Sequence, residues 1–182
     1  MDHFARPTRD EFFYGAKEEM MVTCNVQNHA ETASDVRAPA RSLDAALVLA
    51  DGTCFYGQGL GPESIASGEL VFTTAMTGYE EALTDPSYRG QMLMFTYPLV
   101  GNYGVGAGRA QSESVQPAAV LTATLSESWS ERESLRSYLT LNQVPVMHGV
   151  DTRAIALWIR RHGAMHGVLS VHRPNLAPSL PV

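Results

Sequence analysis

From residue 52 onward glycine and proline punctuate this sequence so often that apolar residues come only in short runs, the longest being the six of 154–159. Runs of that length suit strands and leave little room for long helices. Residues 45–50 read as a strand, Asp51-Gly52 as a hairpin turn, and residues 53–58, with Thr53, Cys54, Phe55 and Tyr56, as the returning strand. Gly59-Leu60-Gly61-Pro62 should break the chain. Residues 68–75 are expected to form a third strand, followed by a short helical turn over 79–83 that Asp85-Pro86 closes.

Residues 91–97 and 118–123 predict two more strands, separated by a Gly- and Ser-rich loop. Ser130 and Glu133 have capping-box spacing, and Leu135, Tyr138 and Leu139 give a helix one apolar face to about residue 142. Residues 144–147 predict a short buried strand. Asp151 then caps a helix whose Ile155, Trp158 and Ile159 share a face and which Gly163 ends, and residues 168–171 form a last strand. Strands first and then a β-α-β-α-β order imply an α/β fold, a mixed sheet with helices packed mainly on one side. Residues 1–42 lack a sustained apolar period and read as a flexible extension, 43–173 as the domain, and 174–182, with Pro174, Pro178 and Pro181, as a linker-like tail.

Composition narrows the partners. A net charge of −6 gives no basic footprint for nucleic acid or an anionic membrane, and residues 45–50 fall far short of the roughly 20 apolar residues a spanning helix needs. Cys24 and Cys54, with no second pair, suit a reducing cytoplasm better than a disulfide framework. Lys17 is the only lysine, so the folded region offers no phosphate-loop lysine and no cofactor is expected on this chain.

Functional residue types concentrate in Met76-Thr77-Gly78-Tyr79-Glu80-Glu81 and Thr84-Asp85-Pro86-Ser87-Tyr88. Taken alone, Asp85-Pro86-Ser87-Tyr88 is good turn chemistry. Adjacent Glu80 and Glu81 would point about 100° apart on a helix, so they read as a solvated face and not an acid–base pair. Ser87 lacks a Gly-x-Ser-x-Gly elbow and an assignable His and acid, which argues against a serine hydrolase. Cys54 reads as a small apolar group within a strand. His162 and His166 are split by Gly163 and fall short of a metal set, so no metal is expected. Neither Gly57-x-Gly59-x-Gly61 nor Gly104-x-Gly106-x-Gly108 has dinucleotide-loop spacing, and the second reads as a loop able to order against a partner.

Whole phrases in order say more than any one motif. The segment from Gly68 through Glu81, then Thr84-Asp85-Pro86-Ser87-Tyr88, then Thr96-Tyr97-Pro98-Leu99-Val100-Gly101-Asn102-Tyr103-Gly104, resembles the small subunit of carbamoyl-phosphate synthetase. Glu113-Ser114, Ser134-Leu135 with Tyr138-Leu139, and Gly149-Val150-Asp151-Thr152-Arg153-Ala154 continue the likeness over residues 43–171. The resemblance implies that family's amino-terminal domain, a swivelling β/β/α fold with a mainly architectural role. It further implies packing on the synthetase large subunit and on a glutaminase domain, in a cytoplasmic complex. That complex turns glutamine, bicarbonate and two ATP into carbamoyl phosphate for arginine and pyrimidine synthesis, with ATP and Mg held by the large subunit.

One site residue carries over by resemblance: Ser87 matches the serine with which this domain reaches the glutamine site, orienting substrate and not attacking it. No catalytic residue carries over, because neither Cys24 nor Cys54 sits in a nucleophile motif of the glutaminase domain that follows in the family. The chain alone is therefore expected to lack glutaminase activity. Thr122-Ala123-Thr124 also departs from the family in lacking an arginine. A free-standing interaction module without a catalytic role is the alternative reading.

Overall fold

The computed structural model describes residues 44–106, 108–129 and 132–172. The expected extension 1–42, the tail 174–182 and the Ser130 cap lie outside the described residues. Seven strands follow in chain order: β1 (Ala45–Leu49), β2 (Cys54–Leu60), β3 (Ser64–Thr73), β4 (Met92–Phe95), β5 (Ala119–Thr122), β6 (Val146–His148) and β7 (Met165–Val171). Three helices join them: α1 (Tyr79–Thr84), α2 (Leu135–Leu141) and α3 (Thr152–His162).

The sheet is mixed, as expected, but it closes on itself in the order β1-β2-β6-β5-β4-β3-β7. Strands β3, β4, β5 and β6 run parallel, while β1, β2 and β7 pair antiparallel with each other or with the edges of that parallel set. Burial follows this division. In β4 and β5 every residue is buried, as a parallel strand covered on both faces requires. In β1 burial alternates, so Ala45, Leu47 and Leu49 point inward while Ala46 and Val48 lie half-buried on the outside.

Two apolar clusters result. The interior one gathers Leu47, Leu70, Met92, Met94, Leu121, Met147 and Leu169. The second lies on the outer face of the parallel strands, where Leu93, Phe95, Val120 and Val146 meet Tyr79 and Leu83 of α1 and Leu135 and Leu139 of α2. Helices were expected mainly on one side of a sheet, and α1 and α2 obey. Helix α3 does not: its Ile155 and Ile159 join the interior cluster, Trp158 Nε1 donates to Asp51 Oδ2 at the β1–β2 turn (2.8 Å), and Arg160 lies 5.9 Å from the Phe72 ring centre. The reason is closure, because a barrel has ends as well as faces and an apolar interior must be stoppered.

Several local expectations change, with β3 starting at Ser64 and β7 at Met165, before the expected 68 and 168. Strand β2 continues through Gly59 and Leu60, and the break comes only at Gly61, whose φ is +97°. The glycines before it answer to space: a Cβ on Gly57 would stand 2.7 Å from the His148 carbonyl oxygen, and one on Gly59 would stand 2.6 Å from Val171 Cγ1. The cap of α2 is Ser134, whose hydroxyl accepts from the Ser137 N–H at 3.1 Å. Asp151 caps α3 as expected, accepting from the Ala154 N–H at 2.9 Å, and Gly163 ends it. Beside the start of β1, the His172 N–H donates to the Asp44 carbonyl at 2.8 Å, so the two ends of the described domain meet.

If Gly57 is glycine because β6 passes too close for a Cβ, Gly57→Ala should lower stability by about 1–3 kcal/mol. Gly106→Ala, where a Cβ meets nothing within 4 Å, bears only the cost of its positive φ. Urea unfolding of the two variants measures the difference.

Candidate functional site

Ser87 stands in a turn that its neighbours build. Thr84 ends α1, Pro86 presets the backbone, and residues Pro86–Tyr88 form one turn of 3₁₀ helix. Asp85 caps it: Oδ1 accepts from the Ser87 N–H at 2.9 Å. That N–H, together with the Ser87 hydroxyl, holds the Asp85 carboxyl below the ordinary carboxylate range. The Tyr88 N–H donates to the Asp85 carbonyl (3.1 Å) and the Arg89 N–H to the Pro86 carbonyl (3.2 Å). Ser87 itself is exposed at the crest. A hydroxyl in that position can both donate to and accept from a polar ligand.

Upstream, α1 is fixed by two tyrosines that hold each other's backbone. The Tyr103 hydroxyl accepts from the Gly78 N–H at 2.7 Å and faces the Tyr79 N–H at 3.4 Å, while the Tyr79 hydroxyl accepts from the Tyr103 N–H at 3.2 Å and donates to the Gly104 carbonyl at 2.9 Å. The rings stack with centres 4.2 Å apart. This exchange ties the start of α1, where Gly78 takes φ +84°, to the turn after β4. Burial pushes the Tyr79 phenol well above its usual value, with Tyr103 and Glu80 adding to the rise.

The glutamates do not form a solvated face. Glu80 is buried, near enough to the Tyr138 phenol to add to the upward push that burial gives it. Glu81 is half-buried: Arg109 reaches Oε1 at 3.8 Å, and Oε2 is buried without a hydrogen-bond partner among the described residues. The reason is what packs beside them. Glu80 is covered from the side of α2, where Tyr138 lies, and Glu81 from the loop that carries Arg109.

The remaining candidates stand apart from Ser87. Cys54 begins β2, with its thiol 3.4 Å from the Gly52 carbonyl. His162 ends α3, its ring against Trp158, and His166 lies on β7 opposite Glu69. The glycine loop after Tyr103 is anchored where it starts, because Val105 N–H donates to the Glu133 carbonyl at 2.9 Å. Thr122, at the end of β5 where an arginine was expected, is buried and donates to the Thr124 carbonyl at 3.1 Å.

Removing one hydroxyl of the tyrosine pair tests its weight. Tyr103→Phe leaves the Gly78 N–H without its acceptor and should lower stability by about 1–3 kcal/mol in chemical denaturation. Alkaline titration gives a second readout. The folded-state pKa of Tyr79 and Tyr138 is raised, so their contribution is complete below the unfolded value of about 10 and is lost as pH climbs past it. Phenolate absorbance should show these two ionising after the exposed tyrosines.

Residues 47–169 match the model of the carbamoyl-phosphate synthase small chain, CPSase domain. The small chain of Methanosarcina mazei is 46% identical over 130 residues, which are 70% of this chain and 35% of that protein. An arginine-specific small chain of Chaetomium globosum is 42% identical, over 74% of this chain and 32% of its own, and a pyrimidine-specific one of Halalkalibacterium halodurans is 44% identical, over 68% and 35%. This chain thus spans about a third of the length of the curated relatives it matches. Among solved structures, an aminopeptidase from Aneurinibacillus sp. strain AM-1 overlaps 70% of this chain and 30% of its own at 16% identity and a TM-score of 0.40, too slight a likeness to bear on fold or function. With the family model covering all seven strands in part or whole, this chain belongs to the carbamoyl-phosphate synthase small chain family, within its CPSase domain.

Proposed function

We propose that this domain is the architectural, glutamine-site-completing part of a glutamine-dependent carbamoyl-phosphate synthase. The observation that carries the reading is Ser87, exposed at the crest of a turn whose hydrogen bonds fix its backbone. In this role Ser87 contacts the glutamine held by a glutaminase domain, and its hydroxyl orients the substrate without attacking it. A nucleophile must then come from elsewhere in the complex. The only described cysteine, Cys54, lies far along the chain from Ser87 at the start of a strand and gains no helix-terminal activation.

The layering supports the swivelling β/β/α class. An antiparallel layer of β1, β2 and β7 backs the parallel layer of β3 to β6, which α1 and α2 cover in turn. The chain's partners on this reading are the synthetase large subunit, which holds ATP and Mg, and the glutaminase domain. The complex works in the cytoplasm, and no described helix is long and apolar enough to cross a membrane. Exposed Tyr56, Ile65, Met76, Leu99 and Trp129 are apolar area available for such packing.

Size-exclusion chromatography of this chain with a carbamoyl-phosphate synthase large subunit should show co-elution without glutamine hydrolysis by the complex. Separate elution would oppose the packing role. In an enzyme assembled with a glutaminase domain, Ser87→Ala should raise the glutamine concentration for half-maximal rate about tenfold, as loss of one substrate hydrogen bond does. Its rate with ammonia as nitrogen source should stay unchanged. An unaltered glutamine response would remove Ser87 from the site.

A further inference from the structure

Ser87 sits between two fixed points, and one buried side chain connects them. Gln116, 8% exposed, follows the loop that leads into β5. Its main chain brackets the turn: the N–H donates to the Leu83 carbonyl at 2.9 Å, before the turn, and the carbonyl accepts from the Gly90 N–H at 3.2 Å, after it. Its side chain does the same from beneath. Oε1 accepts from Arg89 Nε at 3.0 Å, while Nε2 donates to Ser112 Oγ at 2.8 Å and lies 3.2 Å from the Ser114 carbonyl and 3.1 Å from Ser114 Oγ.

The loop it holds returns to the turn's other side. The Gln111 N–H donates to Thr84 Oγ1 at 2.8 Å, and the Ser112 hydroxyl donates to the Thr84 carbonyl. Thr84 in turn donates to the Glu80 carbonyl of α1 at 2.8 Å. A chain of hydrogen bonds therefore runs from Thr84 through Ser112 and Gln116 to Arg89, and the backbone from 84 to 89, with Ser87 on it, spans the two ends. A carboxamide is the group this place needs, since one atom must accept from a guanidinium while the other donates to a hydroxyl.

We infer that Gln116 is a positioning residue for Ser87, holding residues 85–90 at the height and angle at which the serine presents its hydroxyl. The inference rests on the reading of Ser87 as a glutamine contact. Gln116 acts through Arg89 and the 111–114 loop and does not touch substrate. Arg89, next in the turn but one after Ser87, is the lever through which the carboxamide reaches the crest.

The test uses the whole 182-residue chain and nuclear magnetic resonance hydrogen exchange. In the unaltered chain the Arg89 Nε–H should exchange at least tenfold more slowly than that of exposed Arg161. Gln116→Ala should abolish this protection and speed exchange of the Ser87, Tyr88 and Arg89 amides about tenfold, with the Leu93 and Leu121 amides unchanged. Gln116→Glu, which keeps the acceptor for Arg89, should restore the Nε–H protection. Arg89→Met removes the donor of the same bond at an exposed position and should loosen the same amides, so it decides the matter if Gln116→Ala fails to fold. Unchanged turn amides in Arg89→Met and in any folded Gln116→Ala would overturn the positioning role. None of these readouts involves glutamine, so their failure leaves the Ser87 reading standing, whereas an unaltered glutamine response of Ser87→Ala would remove that reading alone.

Discussion

The double pairing of β7 is the constraint on which the rest of this domain depends. It meets β1 along one edge, from Ala45 opposite Val171 to Leu49 opposite Gly167, and β3 along the other, from Ser64 opposite Val171 to Leu70 opposite Met165. Without that strand the sheet would have two open edges and an interior half exposed. With it, Leu47, Leu169, Met94 and Leu121 face one another across a closed space, and the helices are free to cover the outside and one end. Gly167 closes the β1 side of this seam, opposite Leu49, and a Cβ there would be tightly held, with Met92 Cε at 3.0 Å and Val48 O at 3.1 Å.

Much of the architecture was legible in the sequence because it is local. The Asp51-Gly52 hairpin, the Asp151 cap and the Gly163 stop each depend on two or three neighbouring residues whose chemistry admits few alternatives. Closure was not legible, since it depends on which strand edges find each other over more than a hundred residues. Strand β3 shows the same limit: Ser64 to Ser67 offer Ile65 as their one large apolar residue, and they become strand with β7 alongside. At α2 the described cap is Ser134, and Leu135 and Leu139 behind it dock on the parallel strands.

The site was readable to a different depth. Turn chemistry located Ser87, and ordered phrases gave it a role by resemblance, but nothing local marked Gln116 or paired Tyr79 with Tyr103. Those contacts join residues 24 to 27 positions apart, the tyrosine pair following from β3 beside β4 and the Arg89–Gln116 bond from β4 beside β5. Glu80 fails for the opposite reason, since adjacency to Glu81 suggested water while distant residues cover both, Tyr138 beside Glu80 and Arg109 beside Glu81. Polar residues here are thus spent on holding one exposed turn, and the apolar clusters on holding the platform beneath it.

The hydrogen bond from His172 N–H to the Asp44 carbonyl places the domain's entrance and exit side by side. Mechanically, such a domain hangs from a single pivot. Chain joined before Asp44 or after His172 exerts its pull at one point, so a rotation about that point reorients the whole body and strains no strand pairing within it. The same adjacency makes the domain a natural insert: joined end to end, it could be opened at the β1–β2 turn and remain one closed barrel.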